Sequence, residues 1–88
     1  MKIKEGFMLR KVADNNVVVA VGKAMLDFNG LITLNESGTY LWSLLEKGVT
    51  SEEMVAKMCE RYDVDKETAD ADVEEFVKNL EGAGIIEQ

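Results

Sequence analysis

The hydrophobic period of this chain changes at a single residue, Asn35, and that junction limits what the chain can fold into. Before it, Leu31-Ile32-Thr33-Leu34 is apolar and β-branched, as a strand is. After it, Tyr40, Leu41, Leu44 and Leu45 recur at helical spacing, with Trp42 to one side. No loop-forming run separates the two. Asn35 is a good helix N-cap, because its side chain can accept a hydrogen bond from an early helix N–H, and Glu36 suits the positive end of the helix dipole. A strand of about four residues therefore runs straight into a helix.

Upstream, the pattern is extended. Phe7-Met8-Leu9-Arg10-Lys11-Val12-Ala13 reads as a first strand, and Asp14-Asn15-Asn16 as a turn that tolerates left-handed backbone. Val17-Val18-Val19-Ala20-Val21 is the most β-prone run, broken by Gly22-Lys23. Ala24 to Phe28 follows, then Asn29-Gly30, a strong hairpin signal because a type I′ turn needs positive φ at both central residues. Residues 17–21 and 24–28 read either as separate strands or as one irregular one. The expectation is a small antiparallel sheet over about residues 7–34, with three to four short strands.

Downstream, three helices are expected over about residues 35–82. Gly48 ends the first. Thr50-Ser51-Glu52-Glu53 has the form of a capping box, and Met54, Val55, Met58, Cys59 and Tyr62 form the stripe of the second. Asp65 caps the third, whose Ala69, Val73, Phe76, Val77 and Leu80 share one face. Gly82-Ala83-Gly84 stops it, and Ile85-Ile86 adds a short extended tail. The fold class is α+β: a small N-terminal antiparallel sheet followed by a three-helix bundle of winged helix-turn-helix type. At 88 residues the chain reads as a single domain over residues 1–88.

The residue inventory argues against catalysis. There is no histidine to act as the usual neutral-pH base, and one cysteine, Cys59, is neither a catalytic pair nor a zinc site. No nucleotide-binding glycine loop is present, and the acidic turn at Asp63 and Asp65 lacks a calcium loop's ligand set. Asp70, Glu74, Glu75 and Glu81 read as a solvated face. Met25, Met54, Met58 and Cys59 read as core fillers, and Trp42 as core or an anchor. No cofactor is expected. With no apolar run of membrane-spanning length, no signal-peptide pattern at the N-terminus and a lone thiol, a reducing, cytoplasmic setting without membrane contact is expected. A binding module is the natural reading.

Charge narrows the partner. Residues 1–34 hold five basic and three acidic residues, net +2, whereas residues 35–88 hold five and fourteen, net −9. A helix-turn-helix pattern suggests DNA, with the third helix as reader. Residues 65–81, however, carry seven acidic side chains against Lys66 and Lys78, net −5, and no arginine. Phosphate neutralisation supplies most DNA affinity, so no nucleic-acid partner is expected. A winged-helix regulator binding DNA or another protein is the alternative reading.

The ordered series Leu34-Asn35, Trp42, Leu45, Gly48, Thr50, Tyr62-Asp63-Val64, Asp72, Phe76, Leu80 and Gly84-Ile85-Ile86 resembles the family of pyrroloquinoline quinone biosynthesis protein D. The resemblance covers residues 24–86, while residues 7–23 look like extra length relative to the family's simplest members. It implies a recognition element that holds the leader segment of a ribosomally made precursor peptide. Such an element delivers the leader to a modifying enzyme, often a radical S-adenosylmethionine enzyme, and is itself a non-catalytic adaptor.

In that light the short strand has a use. An edge strand has unpaired N–H and C=O groups, to which an extended peptide can add. The expected peptide-binding groove has Leu31, Ile32, Thr33 and Leu34 on one side and Val73, Phe76, Val77 and Leu80 on the other. All four helix residues also read as plain core, and for Val73 and Leu80 individually plain core is the stronger reading. Asp72 either orients the peptide or caps a neighbouring turn.

Overall fold

Alternation along the β-branched runs settles which face of the sheet meets the core. The computed structural model describes residues 1–26 and 32–87. In it, β2 (Phe7–Val12) and β3 (Asn15–Ala20) pair antiparallel, with Leu9 beside Val18, and β4 (Ile32–Leu34) pairs antiparallel with β3, with Ile32 beside Val18. Phe7, Leu9, Val18, Ile32 and Leu34 all belong to the core or pack against it. A short β1 (Lys2–Ile3) pairs with β5 (Ile86–Glu87) as a separate two-stranded sheet.

The β2–β3 turn falls earlier than Asp14-Asn15-Asn16. Val12 pairs with Asn15, so Ala13 and Asp14 form a two-residue turn, and Ala13 takes the positive φ of 57°. The register explains this. A three-residue turn at 14–16 would displace the pairing by an odd number of residues and turn Val18 away from Leu9.

The described part of the expected 24–28 run, residues 24–26, is not strand. Gly22–Leu26 is a 3-10 helix, and β4 pairs with β3. Gly22, at φ +64°, ends β3's extended run. The Gly-Lys-Ala-Met-Leu sequence contains no β-branched residue and three good helix formers after its first positions. Met25 is 63% exposed and is not a core filler. The expected Asn29-Gly30 turn, with Asp27, Phe28 and Leu31, lies outside the described residues.

The helices are α1 (Glu36–Lys47), α2 (Ser51–Arg61) and α3 (Lys66–Gly82). Each begins at the expected cap. The Asn35 side chain accepts from Gly38 N–H at 2.8 Å, Thr50 and Glu53 form a reciprocal capping box, and Asp65 accepts from Thr68 N–H at 2.8 Å. Gly48 follows α1 at φ +84°. Met54, Met58, Ala69, Val73 and Leu80 are buried between the helices, and Trp42, 1% exposed, is core. Cys59 is half-buried and packs against that core. The N-terminal segment ties the ends together: Val49 N–H donates to the Met1 carbonyl at 3.0 Å and Lys4 N–H to that of Ile85 at 2.7 Å. No helix among the described residues is long and apolar enough to cross a membrane.

Candidate peptide-binding groove

The junction at Asn35 needs no loop because an N-cap is itself extended. Asn35 has φ −79° and ψ −177°, so the strand conformation of Leu34 continues into the cap before the helix starts. Thr39 Oγ1 donates to the Asn35 carbonyl at 2.9 Å, and Ser37 Oγ donates to Asn35 Oδ1 at 3.1 Å. Gly38 is buried against this turn. A Cβ there would lie 3.1 Å from Asn35 Oδ1 and 3.4 Å from Leu34 Cβ. The missing side chain thus lets β4 sit close on the first turn of α1.

This places β4 opposite α3 across an open groove of about 350 Å³. Leu34, Leu41 and Leu80 form its apolar floor, all buried. Ile32 and Thr33 stand on one side; half-buried Phe76 and exposed Asn79 stand on the other. Asp72 and Glu75 form the rim, both exposed, and no lysine or arginine among the described residues lines the groove. In the three-stranded sheet, β4 is bonded to β3 on one side and has no strand partner on the other among the described residues. A free strand edge therefore accompanies an apolar floor, the arrangement that added-strand binding uses.

Most of the expected groove residues meet here. Ile32, Thr33, Leu34, Asp72, Phe76 and Leu80 line one groove. Val73 and Val77 do not; they face α2 and, with Val55, floor a second cleft between α2 and α3. Successive helix residues advance about 100°, which puts residues 72, 76 and 79 within about 60° of each other and Val73 and Val77 roughly 100° further round. Phe76 and Leu80 belong to the seam between the core stripe and the groove face. Leu31 lies outside the described residues. Asp72 caps no turn among the described residues; it stands on the rim.

Leu41, Gly38, Glu75 and Asn79 also line the groove and lie outside the set expected from the sequence. Two signals point to three of them, Gly38, Glu75 and Asn79. Gly38 sits in the first turn of a helix, where glycine weakens the helix by about 1 kcal/mol and so marks a close approach. Glu75 and Asn79 follow Asp72 by three and seven positions, which is one helix face. Among the described residues, no three histidine, cysteine or acidic side chains gather as metal ligands.

The sequence profile of the family described as coenzyme PQQ synthesis protein D (PqqD) matches residues 22–86. The chain belongs to the PqqD family. No curated protein sequence matches it. Two solved structures resemble this PqqD-family chain over nearly its whole length. TbiB1, in complex with the TbiA(beta) leader peptide, is 29% identical, with a TM-score of 0.79 over 99% of this chain and 95% of that one. Lasso peptide synthetase B1, complexed with the leader peptide, is 15% identical, with a TM-score of 0.75 over 96% of this chain and 93% of that one, and supports the fold alone. Both cover residues 7–21 too, so the extra N-terminal length relative to the family profile is shared with these two structures.

Proposed function

We propose that this chain binds the leader segment of a ribosomally synthesised precursor peptide as an added strand along β4 and presents it to a modifying enzyme. The observation that carries the reading is the edge of β4 that has no strand partner among the described residues and faces an apolar groove against α3. Membership of the PqqD family and the likeness to TbiB1, whose structure is a leader-peptide complex, support it. Backbone pairing to β4 gives affinity that tolerates sequence variation, and the Phe76 and Leu80 side of the groove selects apolar side chains. Ile32, Thr33, Leu34, Phe76, Leu80 and Asp72 are the residues that touch the peptide in this proposal.

The chain acts as an adaptor and does no chemistry itself. The modifying enzyme, of radical S-adenosylmethionine type or another peptide-modifying class, supplies the reaction. Any iron–sulfur cluster belongs to that partner, since a cluster needs several thiolates and this chain has one cysteine. The product is a peptide-derived natural product or cofactor. Calorimetry of the chain with the leader of the precursor encoded beside its gene tests the proposal. Binding near micromolar, about −8 kcal/mol, is expected. A leader that binds no better than its scrambled version overturns it.

A further inference from the structure

We infer that the segment held in this groove is cationic where it crosses α3, with lysine or arginine facing Asp72 and Glu75 and apolar side chains facing the floor. The inference rests on the groove being a peptide site and concerns which peptides it selects. Asp72 and Glu75 lie one turn apart on the groove face of α3. Neither carboxylate has a hydrogen-bond or ion-pair partner among the described residues. No lysine or arginine among the described residues lines the groove, and the one basic side chain in the C-terminal half of α3, Lys78, is turned toward the α2–α3 cleft, where it meets Glu74 at 3.0 Å.

An added strand directs alternate side chains to opposite faces. Those directed at Leu34, Leu41 and Leu80 are desolvated and must be apolar. Those that lie along the α3 rim meet two uncompensated carboxylates. There an acidic peptide is repelled and a basic one attracted, both in encounter rate and in register. The free strand edge and apolar floor make the site; the two carboxylates set its preference. The chain's net charge of −7 adds a weaker, non-directional pull of the same sign, which the experiment must separate from the groove's own.

The test is selection from a display library of random peptides, each about twelve residues, panned against the full chain in low salt, about 50 mM. Wild type, Asp72→Asn/Glu75→Gln, and the charge-matched control Glu52→Gln/Asp70→Asn in the α2–α3 cleft are panned in parallel. The buried Trp42, the chain's sole tryptophan, reports by fluorescence that each variant is folded. Alternating apolar peptides enriched in lysine or arginine are expected with wild type and control, and the basic preference disappears in the groove variant. A selected basic peptide then binds the groove variant about fivefold more weakly in low salt, as two water-exposed carboxylates warrant, with the difference closing in high salt. Apolar peptides enriched without a basic preference overturn this inference and leave the peptide-site reading standing. Equal loss of preference in the control assigns it to net charge and overturns the inference. Enrichment of no peptide overturns both.

Discussion

The three-stranded sheet has two outer edges, and they differ. β2 is six residues long, with Arg10 and Lys11 exposed along it, and none of its residues lines the groove beside β4. β4 is three residues long, Ile-Thr-Leu, without a charge, and opens on that groove. Charged side chains are a common defence of an edge against unwanted pairing. The edge that lacks them is the one whose floor is apolar and whose far wall is a helix. Shortness limits the exposed backbone of β4, and the Asn35 cap fixes it against α1. The comparison teaches that the two edges differ in length, in charge and in what lies beside them, and that β4 is the short, uncharged one held against α1 beside the groove.

Removing the floor gives the largest expected effect. Leu80 is 1% exposed, so Leu80→Ala should cost about 2–5 kcal/mol in denaturant unfolding. Leu9→Ala, behind β2 and only half-buried, should cost about 1 kcal/mol. Equal losses would mean that the two edges rest on equally packed cores. Next comes binding. Phe76→Ala should weaken the leader at least about tenfold, roughly 1.4 kcal/mol, with the fold retained. Met8→Ala, on the outer face of β2, should leave affinity within about twofold. A larger loss at Met8 than at Phe76 would exchange the roles of the edges.

The junction is worth less. Asn35→Ala removes the acceptor of the Gly38 N–H and should cost about 1 kcal/mol by thermal unfolding. Alanine at Asp14, in the β2–β3 turn, should stay within about 0.5 kcal/mol.

Acid sensitivity is the smallest effect and belongs to neither edge. The Thr50 backbone N–H, then its hydroxyl, hold the Glu53 carboxyl below its usual range; the Thr68 hydroxyl and backbone N–H do the same for Asp65. Because both folded-state values are depressed, their stabilisation is complete above the ordinary carboxylate range and is lost as pH falls through the folded values. Melting temperature should therefore fall between about pH 5 and pH 3. Asp65→Asn should flatten that fall, and an unchanged slope would remove the Asp65 cap from the explanation.

Much of this was legible in the sequence, for physical reasons. Asn35, Thr50 and Asp65 announce their helices because capping is local chemistry. The Leu9, Val18 and Leu34 core is readable from alternation. Pairing between β1 and β5 was not, because a two-residue strand carries no periodic signal and its partner lies at the other end of the chain. The 3-10 helix at Gly22 interrupts a run whose apolar character suited either structure. In the groove, Ile32, Leu34, Phe76 and Leu80 follow from one strand and one helical stripe. Val73 and Val77 fell on the stripe too, because periodicity gives the buried face of a helix and not the seam where burial ends. Glu75 belongs by its charge to a solvated helix face; it is solvated, and it is also on the rim.

Amide NMR of the isotope-labelled chain, titrated with its neighbouring precursor's leader peptide, tests the difference between the edges most directly. The largest shifts should fall on residues 32–34 and 72–80, with new cross-strand contacts between β4 and the peptide, while the amides of residues 7–12 stay in place. Shifts confined to α2 or to residues 7–21, with β4 unchanged, would contradict the assignment of the open edge.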